Sequence, residues 1–264
     1  MGSIVTAIRK WLASRIDPTP PPPGYVSDEL SHFVGRGKSA DEQFELLVRI
    51  VESGWLTHPP HNPNISGNLS VSSSKNFASN AMYSPQMVCF CDIPVDQLEI
   101  HCLKYSPFGL SFSKRFVAER GGRPVFYVPR DGKVRTFRAP DLSRGGLGRL
   151  NIEDVTVEEN VGAFFNRNVR ELSALVDQCR STVGVSPSMH FLPFHILSYF
   201  KFFDLHLEDS DEENFYLERE WRVIGNLKFK PKDIRRVLVK RGYATRFSKR
   251  FPSVECYELS GGTV

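Results

Sequence analysis

"NFYLEREWRVIG", Asn214 to Gly225, is where the reading of this chain turns. The preceding "HLEDSDEEN" (His206–Asn214) is acidic and unpatterned. A clean alternation then begins. On an extended strand successive side chains point to opposite faces. Tyr216, Glu218, Glu220 and Arg222 would share one face, and Leu217, Arg219, Trp221 and Val223 the other. The second face is mostly apolar and suits a core. The first sets two carboxylates beside a guanidinium, which relieves the repulsion between like charges. Such a face is either a solvated outer surface or the wall of a site.

The rest of the chain supplies the partners for that strand. "SADEQFELLVRIVESGWL" (Ser39–Leu56) reads as a helix. Ser39 and Glu42 form a capping box, Phe44, Leu47, Val48 and Val51 make one apolar face, and Gly54 stops it. "LSHFVGRG" (Leu30–Gly37) is a short strand ending in glycines. "MVCFCDIP" (Met87–Pro94) is a buried strand, "FGLSFSK" (Phe108–Lys114) alternates, and "RPVFYVPR" (Arg123–Arg130) is another strand. "VDQLEIHCLKYS" (Val95–Ser106) and "NVRELSALVDQCRS" (Asn168–Ser181) read as helices, and so does the strongly apolar "SMHFLPFHILSYFKFF" (Ser188–Phe203). "RRVLVK" and "VECYELS" close the chain as strands around a short helix. Thr57–Asn80 and Arg138–Asn151 are rich in Pro, Ser, Asn and Gly and read as loops. Strands scattered among helices, without a repeating βαβ unit, predict an α+β domain over 25–264.

The first 24 residues stand apart. "MGSIVTAIRKWLASRI" has helical apolar spacing with Arg9, Lys10 and Arg15 opposite. It fits a docked helix, a partner-binding helix or a membrane-surface contact, and it matches the loose myristoylation pattern through Gly2 and Thr6. "DPTPPPPGY" (Asp17–Tyr25) then breaks the chain, because prolines this dense favour an extended polyproline linker.

The 264 residues are 41% hydrophobic and 12% aromatic, the make-up of a folded protein able to bury a core beneath a cleft. The net charge of +4 is only mildly basic. The five cysteines are odd in number and follow no signal peptide, which predicts reduced thiols in the cytoplasm. No run of about twenty apolar residues predicts a transmembrane helix.

Few motifs carry chemistry by themselves. There is no G-x-S-x-G and no P-loop, which excludes the commonest serine hydrolases and nucleoside triphosphatases. His58 and His61 sit in a loop, and Cys89-x-Cys91 has the wrong spacing for zinc, so no metal is expected. His32 stands beside a glycine-rich turn that lets a ligand approach the backbone. Tyr105 precedes a strand on which Gly109, Ser111 and Ser113 share a small polar face fit to line a cleft or meet solvent. A magnesium nuclease built on Glu218 and Glu220 would need further paired acids, which the strands lack.

The order of these pieces says more. "SHFVGRG", "IVESGWL", "VCFCDIP", "YSPFGLSFSK", "PVFYV" and "EREWRV" resemble in series the AbiGi family of abortive-infection phage resistance, over about Tyr25 to Val239. The layout is more distantly similar to the His-Tyr-Glu branch of ADP-ribosyltransferase-like folds, which implies a split mixed or antiparallel sheet flanked by helices. That resemblance implies NAD as the cofactor, His32 holding a ribose, Tyr105 stacking on nicotinamide and Ser111 lining the site. It makes Glu220 the catalytic carboxylate with Glu218 as its partner. A fixed anion would favour the positive charge that grows on the sugar as the nicotinamide bond breaks. The AbiGi resemblance also implies a cognate defence partner and a non-catalytic, antitoxin-like role. The basic segment "KRGYATRFSKR" (Lys240–Arg250) is a candidate nucleic-acid contact or a solvated helix.

Overall fold

The computed structural model describes residues 27–58, 63–64, 69–137, 155–183, 191–208, 211 and 213–259. The segments expected to form an amino-terminal helix, a proline-rich linker and a loop from Arg138 to Asn151 lie outside them. Helix α1 (Ala40–Ser53) forms as its sequence dictates. The Ser39 N–H donates to Glu42 Oε2 at 2.9 Å, satisfying a first-turn donor. Gly54 ends the helix with φ 68°, and a Cβ there would sit 2.8 Å from the Phe229 carbonyl oxygen, so only glycine fits.

Helix α1 packs on a seven-stranded sheet. Its strands are β1 (Glu29–Phe33), β5 (Met87–Cys91), β6 (Gly109–Ser113), β7 (Arg123–Pro124), β12 (Glu220–Ile224), β14 (Ile234–Lys240) and β15 (Cys256–Leu259). The order is β15-β14-β6-β1-β5-β12-β7. The β14–β15 pair is parallel and the others are antiparallel. The fold is therefore α+β with a mixed sheet. Leu30, Phe90, Leu110, Phe112 and Val223 face Phe44, Leu47 and Val51 of α1 in one core. Helix α5 (Ala244–Arg250) closes that core with Phe247.

Short pairs complete the chain: β2 (Trp55–Leu56) with β13 (Leu227–Lys228), β3 (Leu69–Val71) with β4 (Tyr83–Pro85), β8 (Phe126–Pro129) with β11 (Phe200–Phe203), and β9 (Lys133–Phe137) with β10 (Val155–Asn160). Helices α2 (Glu99–Lys104), α3 (Lys114–Ala118) and α4 (Val161–Val183) lie between them. A second apolar cluster joins Val161 and Val169 of α4 to Phe77, Leu197 and Phe202. Asn80 ties it together, since its side chain donates to the Phe202 carbonyl at 2.8 Å and accepts from the Phe202 N–H at 2.7 Å.

Three expectations need correcting. The opening stretch is not one strand. Phe215–Glu218 is a 3-10 turn, Arg219 turns left-handed at φ 45°, and only Glu220–Ile224 is extended. "RPVFYVPR" divides at Val125 between two sheets. The apolar segment near Phe203 is not a helix throughout. Wide and 3-10 turns over Phe191–Tyr199 pass into strand β11, where ring-bearing side chains pack best.

Candidate functional site

The register of the sheet builds one wall of a site. Glu220 lies opposite Cys91, and Arg222 opposite Cys89, so these four share a face. Ser31 pairs with Cys91 from the other side and extends the row. That pair is the whole β1–β5 ladder. Beyond it the His32 Nδ1 lies 2.7 Å from the Cys89 carbonyl oxygen, and since a carbonyl only accepts, Nδ1 carries the proton.

Over this wall lies a cavity of about 350 Å³. It is bounded by His32 and Phe33 of β1, His101 and Tyr105 at α2, and Phe77, Asn80, Leu197 and Phe200 of the second cluster. Lys201, Glu218, Glu220 and Arg222 also line it. Four of the five sequence candidates, His32, Tyr105, Glu218 and Glu220, thus meet at one cavity from distant parts of the chain.

Ser111 does not. It is buried on the far side of β1, where its hydroxyl donates to Glu29 Oε2 at 2.6 Å and Arg236 completes the group at 3.1 Å. It sits in register beside Ser31, which lines the cavity, but its hydroxyl is spent on Glu29 and it does not reach the cavity wall. Ser113 caps α3 through the Phe116 N–H. Tyr216, expected beside the two carboxylates, also leaves the site. It is 53% exposed and stacks on Phe203, because the turn at Arg219 rotates it away.

The charges form one network. Arg222 grips Glu220 with both ends of its fork, Nε at 2.8 Å and Nη2 at 3.1 Å, and donates to the Ser198 and Phe200 carbonyls. Lys201 Nζ lies between the two carboxylates, 3.3 Å from Glu220 and 3.7 Å from Glu218. Glu218 accepts from Lys104 at 2.8 Å and from the Tyr105 hydroxyl. Lys104 and Lys201 both lie over the Phe215 ring. Burial opposes ionisation of Glu220, but Arg222 and Lys201 outweigh it and hold its carboxyl at about 2. Burial pushes the Tyr105 hydroxyl up, and Glu218 pushes it further, so Tyr105 remains a donor. Burial lowers His101, which is neutral, and its Nε2 has no hydrogen-bond partner among the described residues. The cavity's charged lining is two cations, Lys201 and Arg222, against Glu218 and Glu220, and its rings suit a ligand with a planar part.

Sequence reasoning missed Lys201 and His101. The signal for Lys201 was a single cation inside "YFKFF". His101 had none, for nothing in "EIHCLK" distinguishes it from a histidine on any short helix. Two of the five cations in the basic segment Lys240–Arg250 pair with acids of α1. Arg246 pairs with Asp41 at 2.7 Å and Glu45 at 2.6 Å, and Arg250 with Glu52 at 2.6 Å.

A family model described as abortive phage resistance protein AbiGi, antitoxin, matches residues 66–249. This chain belongs to the AbiGi family. Searches of curated proteins and of solved structures return no match. Membership puts the chain in abortive-infection phage resistance, under a description that reads antitoxin and is consistent with a cognate partner. The AbiGi match covers Tyr105, Lys201, Glu218, Glu220 and Arg222, while His32 precedes it. Among the described residues no helix is long and apolar enough to cross a membrane, and no His, Cys, Asp and Glu cluster is placed to hold a metal.

Proposed function

We propose that this AbiGi-family chain is an antitoxin-type defence protein with an ADP-ribosyltransferase-like fold, whose cavity binds NAD. The convergence of His32, Tyr105, Glu218 and Glu220 on one cavity carries the reading. The fit is chemical. Aromatic rings suit a planar nicotinamide, and the unpartnered Nε2 of His101 is a buried polar atom awaiting a ligand. At about 350 Å³ the cavity is near the lower end of small-molecule sites, which span roughly 300–1,000 Å³, and would hold the nicotinamide–ribose half. NAD would supply the scissile bond to nicotinamide. His32 would fix the ribose, and Tyr105 would offer its ring.

Binding without turnover is the reading we favour, because Arg222 already occupies both oxygens of Glu220. A carboxylate so paired is a weak stabiliser of positive charge on a sugar. Cleavage is the second reading, favoured by the low pKa of Glu220, which keeps it an anion at neutral pH. One experiment separates them. Titration calorimetry with NAD and nicotinamide release are measured on the wild type, Glu220→Gln and Tyr105→Leu. Binding that Tyr105→Leu weakens, with no nicotinamide released, supports binding without turnover. Release that Glu220→Gln abolishes replaces it with the enzyme. No binding by a folded wild type sinks both.

A further inference from the structure

The segment Leu217–Glu220 has a second side. Behind it runs a groove of about 680 Å³, separate from the cavity but sharing Glu220 with it. Its charges are already taken, since Lys114 pairs with Asp92 at 2.7 Å and Arg222 clamps Glu220. What remains is aromatic. Tyr127, Tyr216 and Trp221 supply rings, and Pro124 and Leu217 add apolar surface. Each ring also carries an O–H or N–H donor. The Tyr127 hydroxyl accepts the Glu220 N–H at 2.7 Å and still has its own proton to give.

Rings that bear donors are the surface on which proteins hold polyproline. Proline has no N–H, so an extended proline helix shows a partner only flat rings and carbonyl acceptors. This chain brings such a segment to the groove. The Ser27 Oγ accepts the Glu29 N–H at 3.1 Å, which fixes the entry to β1. The Asp28 carbonyl accepts the N–H of Lys114, a groove residue, at 3.2 Å. Tyr25 stands three residues before Asp28, and Pro23 five. At about 3.6 Å per residue at most, they lie within about 11 and 18 Å of that carbonyl.

We propose that the proline-rich segment Pro18–Pro23 of this same chain docks in the groove as a polyproline helix. Three residues per turn put Pro20 and Pro23 on one face, where their rings meet Tyr216 and Trp221. The carbonyls between them accept from the ring donors. The linker is then a fastening, and it holds the amino-terminal segment Ile4–Ile16 on the β12 side of the fold. The docking stands on observations independent of any ligand in the neighbouring cavity.

The test is titration calorimetry with a synthetic peptide of Asp17–Tyr25. It is run on the full chain and on a full-length linker variant carrying Pro20→Ser, Pro21→Ser, Pro22→Ser and Pro23→Ser. A tether this short gives the attached segment an effective concentration of about millimolar. A peptide that binds the linker variant at about 0.1 mM should therefore bind wild type roughly ten-fold more weakly, because the groove is filled from within. Tyr216→Ala changes an exposed side chain, so the fold survives, and added to the linker variant it should weaken the peptide by roughly five- to ten-fold. No binding to the linker variant at millimolar peptide overturns the proposal, as does binding that Tyr216→Ala leaves unchanged. Equal affinity for wild type and linker variant overturns it too, since the groove would then stand open to a proline-rich partner. Light scattering closes the last route: a wild-type dimer that the linker variant turns into a monomer places the segment on a second copy and refutes docking within one chain.

Discussion

The pairing of Glu220 with Arg222 makes stability depend on acid in a way that can be isolated. Glu220 is 4% exposed, and its carboxyl falls from an ordinary value of 4.5 to about 2. At 1.36 kcal/mol per pH unit, that difference is worth roughly 3 kcal/mol. Because the folded value is depressed, the stabilisation is fully present above about pH 4.5 and is lost as pH falls toward 2. Urea unfolding followed by circular dichroism between about pH 6 and 2 should therefore show a loss from this group alone of roughly 3 kcal/mol in wild type. In Glu220→Gln that component should vanish. The variant also starts lower at neutral pH, by roughly 3–5 kcal/mol, since Arg222 is left buried without its counter-charge. Glu220→Gln with Arg222→Met removes both charges and should recover part of that loss. Parallel pH curves for wild type and Glu220→Gln would refute the reasoning, because Glu220 would then titrate alike in the folded and unfolded chain.

Other outcomes follow from the same geometry. Ser111→Ala should leave ligand binding in the cavity untouched but cost roughly 1–3 kcal/mol in denaturant unfolding, because buried Glu29 loses a donor. Gly54→Ala should cost more than about 1 kcal/mol by the same measurement, as φ 68° and the Phe229 carbonyl both oppose a Cβ. Arg246→Ala with Arg250→Ala should speed hydrogen exchange of α5 amides without changing cavity binding, since their partners are on α1. The Cys89 thiol, pushed up by burial and then by Glu220, should react with iodoacetamide far more slowly in the folded chain than in urea.

Much of the sheet was legible because its strands alternate or are uniformly apolar. Met87–Cys91, Gly109–Ser113 and Ile234–Lys240 fall where the pattern puts them. Ser39, Glu42 and Gly54 fixed α1 by local chemistry alone. The failures have physical causes. "FLPFHILSYFKFF" is apolar at nearly every position, so no period separates helix from strand. Arg219 takes a conformation that glycine or asparagine would have signalled, and the alternation around it looked unbroken. Glu218 still reaches the cavity, but from a turn rather than a strand. For Ser111, a small polar face reads alike whether it lines a cleft or hydrogen-bonds inside a sheet, and what occupies it, Glu29 with Arg236 beside it, comes from distant parts of the chain.

Strand β7 is two residues long and includes Pro124, which has no N–H to offer. It covers the outer side of β12 over Trp221 and Arg222. The strand bearing Glu220 and Arg222 is thereby kept off the rim of the sheet, and its cover is too short and too poor in donors to recruit a further strand. This clipped border removes one route by which copies of the chain could zip together edge to edge.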